Sequence, residues 1–235
     1  MMVSIGNIIF RIRNGIFPLM YLSLFAGFAR VSEETDAMLI VGYLIALAGQ
    51  GIRILTVGLD YIVRGGRNRR VYADDLIRTG LFAHCRNPLY LGNLLMIIGF
   101  GVASNNPWYL IIALPLFFLA YASIIAAEEH YLDRRFGDNY RDYCASTPRL
   151  LPRLNGLAET LRMFSFNWRR VVVKEYSTVC ITLLVLVLLS GRALNQDTND
   201  WLVSGGLIIL ILLVCVGIRI LKKSGKLRAE VTYLR

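Results

Sequence analysis

Six stretches of this sequence are apolar and close to the length that crosses a bilayer, which restricts the chain to a membrane fold. About 20 apolar residues span the hydrocarbon core as a helix, and a soluble core does not need 56% hydrophobic residues in a chain of 235. We therefore predict an all-α, polytopic membrane protein with about six transmembrane helices. The predicted spans are residues 14–29, 37–59, 88–104, 107–127, 171–190 and 201–221.

The formal net charge of +10 is divided unevenly between the two sides of this bundle. Most lysines and arginines fall in the two termini and in the loops 60–87 and 128–170, whereas the opposite side takes Arg30, Arg192 and the acidic stretches SEETD and NQDTND. Because basic residues collect on the cytoplasmic side of a membrane, both termini and both long loops are predicted to be cytoplasmic. The charge is thus a topology signal, and we do not expect nucleic-acid binding.

Four cysteines, Cys85, Cys144, Cys180 and Cys215, show no CxxC or other framework spacing. Two lie on the predicted cytoplasmic side, where disulfides are rare, and two lie in spans. We therefore expect reduced thiols and no metal site.

The stretch TGLFAHCRNPLYLGN, residues 79–93, concentrates polar residues at the mouth of the third span. Asn87 suits a helix N-cap, and Pro88 suits the first helical position because the N–H there would have no partner in the helix. The span should then enter from the cytoplasm with its positive dipole end at the interface, where Arg86 adds a full charge. This arrangement predicts an anion site; the alternative is an ordinary arginine anchor at the membrane surface.

Two adjacent carboxylates are predicted to face this anion site. The short turn SNNP makes spans three and four a hairpin, so Arg86 and Tyr90 end near the depth of Glu128 and Glu129. Acidic residues at that depth are usually functional or paired. The alternatives are that both are solvated or that they pair with arginines along their own helix.

A surface segment follows the carboxylates. Gly137 should end the fourth helix, and the two prolines of TPRLLP, residues 147–152, force an extended course back across the surface. We predict that this segment forms a lid over whatever binds between Arg86 and Glu128.

Residues 74–153 combine an Arg-x-Pro-x-Tyr-x-Gly string, a span hairpin, a Glu-Glu pair, Phe-Gly-x-x-Tyr-x-x-Tyr and Pro-Arg-x-x-Pro. This combination resembles the isoprenylcysteine carboxyl methyltransferase and phospholipid methyltransferase group of integral membrane enzymes. The residues that carry the resemblance are Gly80, Phe82, Arg86, Pro88, Tyr90, Gly92, Glu128, Glu129, Phe136, Gly137, Tyr140, Tyr143, Pro148, Arg149 and Pro152.

The resemblance implies S-adenosylmethionine as cofactor, in a pocket open to the cytosol, and a lipid or lipid-anchored substrate that enters sideways from the bilayer. The sulfonium cation of this cofactor suits aromatic faces such as those of Phe82 and Tyr90. Arg86 and Glu129 are the candidate catalytic residues. The implied cofactor-binding residues are Asp75, Leu76, Ile77, Phe82, Asn87, Pro88, Leu89, Tyr90 and Glu128.

The sequence departs from this family at two positions. Asn87 replaces the family's usual histidine, and Ile124 stands one helical turn before Glu128, where enzymes that act on prenylated cysteine carry an arginine for the substrate carboxylate. An isoleucine cannot pair a carboxylate, so we predict another lipid-borne nucleophile, such as an amine headgroup or a hydroxyl. An amine acceptor needs a base to take its proton. The candidate bases are Glu129, Asp74, Asp75 and His84. The alternative for His84 is a surface or capping role, and the alternative for the aspartates is pairing with Arg78.

Three segments are predicted along the chain. Residues 1–60 form an N-terminal transmembrane hairpin, residues 61–155 form the catalytic core around the hairpin 88–127, and residues 156–235 form a C-terminal hairpin with a basic tail. We assign the spans outside the core to the lipid entrance or to a homodimer contact.

Two other functions stay open. Membrane sterol reductases have a similar Arg-x-Pro-x-Tyr helix and bind NADPH, whose 2′-phosphate could be held by Arg67, Arg69 and Arg70, although the Glu-Glu pair favours the methyltransferases. A non-enzymatic scaffold or transporter would carry an ionisable residue at mid-bilayer. The candidate for that residue, Arg53, lies near the cytoplasmic end of its span.

Overall fold

The structure is a computed structural model that describes residues 1–27, 29–59, 73–163, 165–194 and 198–227. Regular structure in these ranges is helical, without a β-strand. Short 3-10 turns at Ser23–Phe25 and Gly80–Ala83 and a π-helical turn at Tyr109–Ala113 accompany the helices. The helices are α1 (Met2–Leu22), α2 (Thr35–Leu59), α3 (Pro88–Ser104), α4 (Leu114–Phe136), α5 (Asp138–Ser146), α6 (Leu157–Met163), α7 (Trp168–Leu194) and α8 (Thr198–Lys223).

Several of these helices are long and apolar enough to cross a membrane, which confirms the predicted all-α polytopic fold. α3 is apolar as well, but its 17 residues make it a shorter helix than the rest. The five stretches long enough for a crossing are Met2–Phe25, Thr35–Leu59, Tyr109–Phe136, Trp168–Ala193 and Asp200–Lys223.

The predicted start of the first span, at residue 14, is wrong. α1 begins at Met2, so Arg11 and Arg13, which the prediction placed before the span, lie inside the helix. The physical reason is that the buried face of α1 continues through Gly6 and Phe10. A helix can carry an arginine within such a stretch when its remaining face is apolar.

Glycines allow α2 and α3 to pack with their backbones in contact. A Cβ atom added to Gly42 would lie 2.5 Å from the Gly99 carbonyl oxygen, and one added to Gly49 would lie 2.5 Å from the Gly92 carbonyl oxygen. Small residues let helices approach closely in a bilayer, where van der Waals packing takes the place of the hydrophobic effect. This approach brings Arg53, one turn after Gly49, beside the first turns of α3.

α1 packs antiparallel against α4. A Cβ atom on Gly6 would overlap the Ser123 carbonyl of α4. Further along α1, the Phe17 ring lies 5.5 Å from the ring of Phe117 and 5.2 Å from that of Tyr121. The N-terminal end of α1 therefore lies beside the C-terminal end of α4, where the carboxylate pair is located.

Three pairs of polar side chains join α2 to α7 in antiparallel register; we call them the polar seam: Arg53–Glu175, Gln50–Thr182 and Tyr43–Ser190. Arg53 donates from Nε and Nη2 to the two carboxylate oxygens of Glu175, at 2.9 and 2.8 Å. Such a bidentate pair is strong and fixes geometry. Arg53 Nη1 also donates to Asn93 Oδ1 of α3 at 2.6 Å. The seam thus connects the C-terminal part of the chain to α2 and α3.

Candidate functional site

The first turn of α3 meets the last turns of α4 through one hydrogen bond. The Tyr90 hydroxyl donates to Glu128 Oε1 at 2.7 Å, and Glu128 is buried, with 7% of its surface exposed. The Tyr90 ring also lies 5.6 Å from the ring of Tyr121 in α4. A buried carboxylate with an aromatic hydroxyl is therefore placed where α3 begins, as the sequence predicts.

Glu129 lies between two arginines. Arg86 Nη2 lies 3.3 Å from Glu129 Oε1, and Arg149 Nη2 lies 2.8 Å from Glu129 Oε2. The Glu129 carboxylate thus pairs with an arginine just before α3 and with an arginine in residues 147–152, which we call the returning segment. It does not pair with the arginines of its own helix, which was the alternative left open by the sequence. Arg86 Nε is buried and has no hydrogen-bond partner among the described residues. Two guanidinium groups therefore share one carboxylate at this end of the site.

The segment after α5 returns across the start of α3, as predicted. Thr147 is extended, with φ −124° and ψ 125°. The Arg86 N–H donates to the Pro148 carbonyl at 2.9 Å, and the Arg153 N–H donates to the His84 carbonyl at 2.9 Å. These two bonds hold residues 148–153 against residues 84–86, and so they place Arg149 beside Glu129.

Asn87 and Pro88 occupy the predicted positions at the start of α3, but Asn87 does not act as predicted. Pro88 is the first helical residue and Asn87 is the N-cap residue, yet the Asn87 side chain makes no capping bond. Its Nδ2 donates instead to the Arg149 carbonyl at 3.1 Å. The returning segment competes successfully for the amide, so the dipole end of α3 keeps its capacity for an anion.

His84 is not a surface residue; it is the C-cap residue of the 3-10 turn Gly80–Ala83, and its ring makes further contacts. It is 4% exposed; its Nδ1 lies 2.8 Å from the Arg153 carbonyl oxygen and its Nε2 lies 2.8 Å from the Thr160 hydroxyl. With both ring nitrogens engaged, His84 attaches α6 to the site instead of standing ready as a base. No local pattern indicates this contact, because Thr160 lies 76 positions further along the chain.

Two aromatic residues connect the loop before α3 to α5. The Tyr143 hydroxyl donates to the Phe82 carbonyl at 2.7 Å, and Phe82 is 1% exposed. Leu76 packs against the small cluster that contains Tyr140 and Tyr143. Burial, and next the negative charge of Glu129, raise the pKa of Tyr140, so this phenol stays protonated. Phe82 and Leu76 therefore lie in the loop that packs against α5, and their contact with a cofactor stays a prediction.

The remaining predicted cofactor-binding residues make fewer contacts with the Tyr90–Glu128 site. Asp75 is exposed and Ile77 is half-buried on the loop before Gly80. The Leu89 carbonyl faces Arg53 Nη1 at 3.4 Å. The contact of Asp75, Ile77 and Leu89 with a cofactor stays a prediction. The arginines considered for the 2′-phosphate of NADPH, Arg67, Arg69 and Arg70, lie outside the described residues.

Sequence reasoning missed the polar residues just beneath this site. Arg53 was noticed only as an isolated charge near the end of its span, whereas it binds Glu175 and Asn93. The Asn93 side chain in turn lies near Tyr121. One acid in α7 and one arginine in α2, each within an apolar span, were the available signal.

Residues 37–139 match the model of the phospholipid methyltransferase family. This stretch of the chain is similar to that family. It contains α2, α3, α4 and the Tyr90–Glu128 and Arg86–Glu129 contacts, whereas Arg149 and α7 lie outside it. The resemblance seen in the sequence is confirmed, and the phospholipid methyltransferase match indicates a membrane methyltransferase.

Three relatives illustrate the range of similarity. The nickel-cobalt-cadmium resistance protein NccN of Alcaligenes xylosoxydans xylosoxydans is 28% identical over 145 residues, which are 62% of this chain and 67% of that protein. The protein-S-isoprenylcysteine O-methyltransferase of Xenopus laevis is 28% identical over 123 residues, 50% of this chain and 42% of that one. Protein-S-isoprenylcysteine O-methyltransferase B of Arabidopsis thaliana is 32% identical over 87 residues, 37% of this chain and 44% of that one.

The chain thus spans less than half the length of the two isoprenylcysteine methyltransferases. No solved structure matches it significantly. In the part of the chain that the structure describes, no group of three or more His, Cys, Asp or Glu side chains could hold a metal ion.

Proposed function

We propose that the protein is an S-adenosylmethionine-dependent methyltransferase whose acceptor is a lipid or a lipid-anchored molecule that enters from the bilayer. The observation that carries the proposal is the hydrogen bond from Tyr90 to the buried Glu128 at the start of α3, beside the Arg86–Glu129–Arg149 cluster. The family match of residues 37–139 supports the reaction class.

The residues at this end of the bundle fit the charges of S-adenosylmethionine. The α-amino group or the ribose hydroxyls suit Glu128, which is buried and accepts hydrogen bonds. The methionine carboxylate suits the dipole end of α3 together with Arg86, whose buried Nε has no partner among the described residues. The sulfonium suits the ring of Tyr90.

The chemistry asks for positioning more than for proton transfer. When bound, the cofactor would supply an electrophilic methyl group to a lone pair of the acceptor, with S-adenosylhomocysteine as the leaving group. Holding the reactants in line can supply much of the barrier reduction. Two guanidinium groups bind the Glu129 carboxylate, so its role is to hold Arg86 and Arg149 in place.

The cytoplasmic orientation of this site follows from the charge asymmetry. We place both termini, the cofactor pocket and the returning segment on the cytoplasmic side, where most basic residues gather. The division into segments 1–60, 61–155 and 156–235 and a homodimer contact both stay predictions.

The decisive experiment compares two cofactors. The detergent-solubilised chain is heated with S-adenosylhomocysteine or with NADPH, because a ligand that binds the folded state raises the apparent unfolding temperature. We expect stabilisation by S-adenosylhomocysteine and radiolabel transfer from S-adenosylmethionine into total lipid extract. Stabilisation by NADPH alone would contradict the proposal and favour a reductase.

A further inference from the structure

Arg13 occupies an inward-facing position in α1. The residues of α1 that face the bundle follow a spacing of three and four, which marks one side of a helix. Arg13 continues that series and is half-buried, whereas Arg11, two residues earlier, is exposed. The inward series is Gly6, Phe10, Arg13, Phe17 and Tyr21.

The depth of Arg13 is set by its neighbours in α1. Gly6 lies against Ser123 of α4, and Phe17 lies 5.2 Å from Tyr121. Arg13 falls between them, level with Tyr121, which is seven residues before Glu128 and therefore about 10 Å deeper along α4. Tyr121 contacts Tyr90, the donor to Glu128. One aromatic side chain thus separates Arg13 from the Tyr90–Glu128 pair.

Among the described residues, no carboxylate pairs with Arg13. Arg53 is neutralised by Glu175, but Arg13 makes no ion pair among the residues that the structure describes. Its guanidinium lies 4.0 Å from the centre of the Phe10 ring, which is a weak interaction by comparison. An inward-facing cation within a membrane span is costly and marks a substrate or ion pathway more often than a structural role.

We propose that Arg13 holds the anionic group of the acceptor lipid, a phosphate or a carboxylate, while the methylated atom lies near Tyr90. The inference rests on the proposed methyltransferase function and narrows its substrate to amphiphiles with a negative group close to the methylated atom. The planar guanidinium binds either anion through paired hydrogen bonds. α4 supplies no cation at this depth, because Ile124 and Ile125 are buried there.

The test measures the binding of simple amphiphiles to the full chain in maltoside micelles saturated with S-adenosylhomocysteine. Hexadecyl phosphate and oleate provide the two anions, hexadecanol provides a neutral chain, and inorganic phosphate provides the anion without a chain. We expect one or both anionic amphiphiles to bind, and hexadecanol and inorganic phosphate to bind at least ten-fold more weakly. The anionic amphiphile that binds with the higher affinity identifies the chemical class of the acceptor.

Arg13→Gln and Arg11→Gln form the matched pair, since they remove the same charge two positions apart on one helix. Arg13→Gln should weaken binding of the anionic amphiphile more than ten-fold, and Arg11→Gln less than two-fold. Arg13→Lys keeps the charge and should recover part of the lost binding affinity. It replaces Arg13→Gln in the comparison if that variant does not fold. Equal effects of Arg11→Gln and Arg13→Gln, or no binding of either anion to the unchanged chain, would overturn the inference.

A separate readout distinguishes the two proposals. Stabilisation by S-adenosylhomocysteine alone tests the methyltransferase function and should be the same in all three variants. If the unchanged chain shows no such stabilisation, the proposed function fails. If stabilisation persists but Arg13→Gln binds the amphiphile normally, only the role of Arg13 fails.

Discussion

Tyr90 and Glu128 lie 38 positions apart in the chain, yet the hydroxyl of one donates to the carboxylate of the other at 2.7 Å. Tyr90 is in the first turn of α3, and Glu128 is two turns before the end of α4. The bond therefore ties the two ends of one helical hairpin together at the same membrane face. It also fixes which carboxylate oxygen faces away from α3.

Glu128→Gln should weaken S-adenosylhomocysteine binding more than ten-fold, which is about 1.4 kcal/mol. The amide keeps the shape but loses the charge that attracts an amino group. Tyr90→Ala should have a similar effect because it removes both the ring and the hydroxyl, and Glu129→Gln should have a smaller one. Titration calorimetry measures all three; unchanged affinity in Glu128→Gln would remove this residue from the cofactor site.

Glu175→Gln should lower the free energy of unfolding by about 3–5 kcal/mol, the typical loss when one partner of a buried ion pair is removed. The reason is that Arg53 is left charged among α2, α3 and α7 with only Asn93 and a carbonyl to bind. The double variant Arg53→Met with Glu175→Leu should recover most of that loss. Denaturant titration in detergent compares them, and a double variant less stable than Glu175→Gln would argue against a simple ion pair.

Gly99→Ala should destabilise the bundle by about 1–3 kcal/mol, because overpacking forces backbones apart. Its added Cβ would lie 2.5 Å from the Gly42 carbonyl oxygen. Gly51→Ala is the control, since nothing lies within 4 Å of a Cβ there, and it should be neutral or slightly stabilising. Thermal unfolding of both variants decides the matter; equal effects would show that the glycine contact is not tight.

Cys85 should resist alkylation between pH 7 and 9. Burial raises the pKa of its thiol to about 11, and its Sγ donates to the Leu150 carbonyl at 2.9 Å. Because the folded state holds this proton more tightly than the unfolded chain, whose cysteine pKa is about 8.5, its contribution to stability is lost as pH rises from about 8.5 to about 11. Maleimide labelling followed by mass spectrometry should find half-buried Cys144 modified first; faster labelling of Cys85 would show that the returning segment opens readily.

Exposed positions on the two sides should report the orientation of the chain. Asp142→Cys lies on the predicted cytoplasmic side and Glu33→Cys on the opposite side, and both positions are exposed. In intact cells, an impermeant maleimide should label Glu33→Cys and spare Asp142→Cys until the membrane is opened. The reverse pattern would overturn the topology and, with it, the cytoplasmic site.

The sequence was sufficient for features that depend on local chemistry. Apolar length predicted the helices, Pro88 marked the start of α3, and Gly137 marked the end of α4 with φ 54°. The two prolines of residues 147–152 predicted the extended return that contacts Arg86. Each of these signals acts within a few residues, so a single sequence reveals it.

Features that depend on distant partners could not be predicted in this way. The Asn87 amide had a standard local role, and only the approach of Arg149 diverts it. His84 has Thr160 as a partner 76 positions away, and Arg53 has Glu175 122 positions away. α1 begins at Met2, well before the predicted residue 14, because its apolar face continues on both sides of Arg11 and Arg13. A count of apolar residues treats these two arginines as the boundary of the span.

The Arg53–Glu175 pair also imposes an order on biosynthesis. Arg53 leaves the ribosome 122 residues before Glu175 does, so α2 reaches the membrane carrying a guanidinium whose counter-charge has not yet been made. Until α7 arrives, that charge favours the water-lipid boundary over the interior. Full burial of α2 must therefore wait for translation to pass residue 175, and a nascent chain released before that point displays a charged span that cellular surveillance can recognise as incomplete.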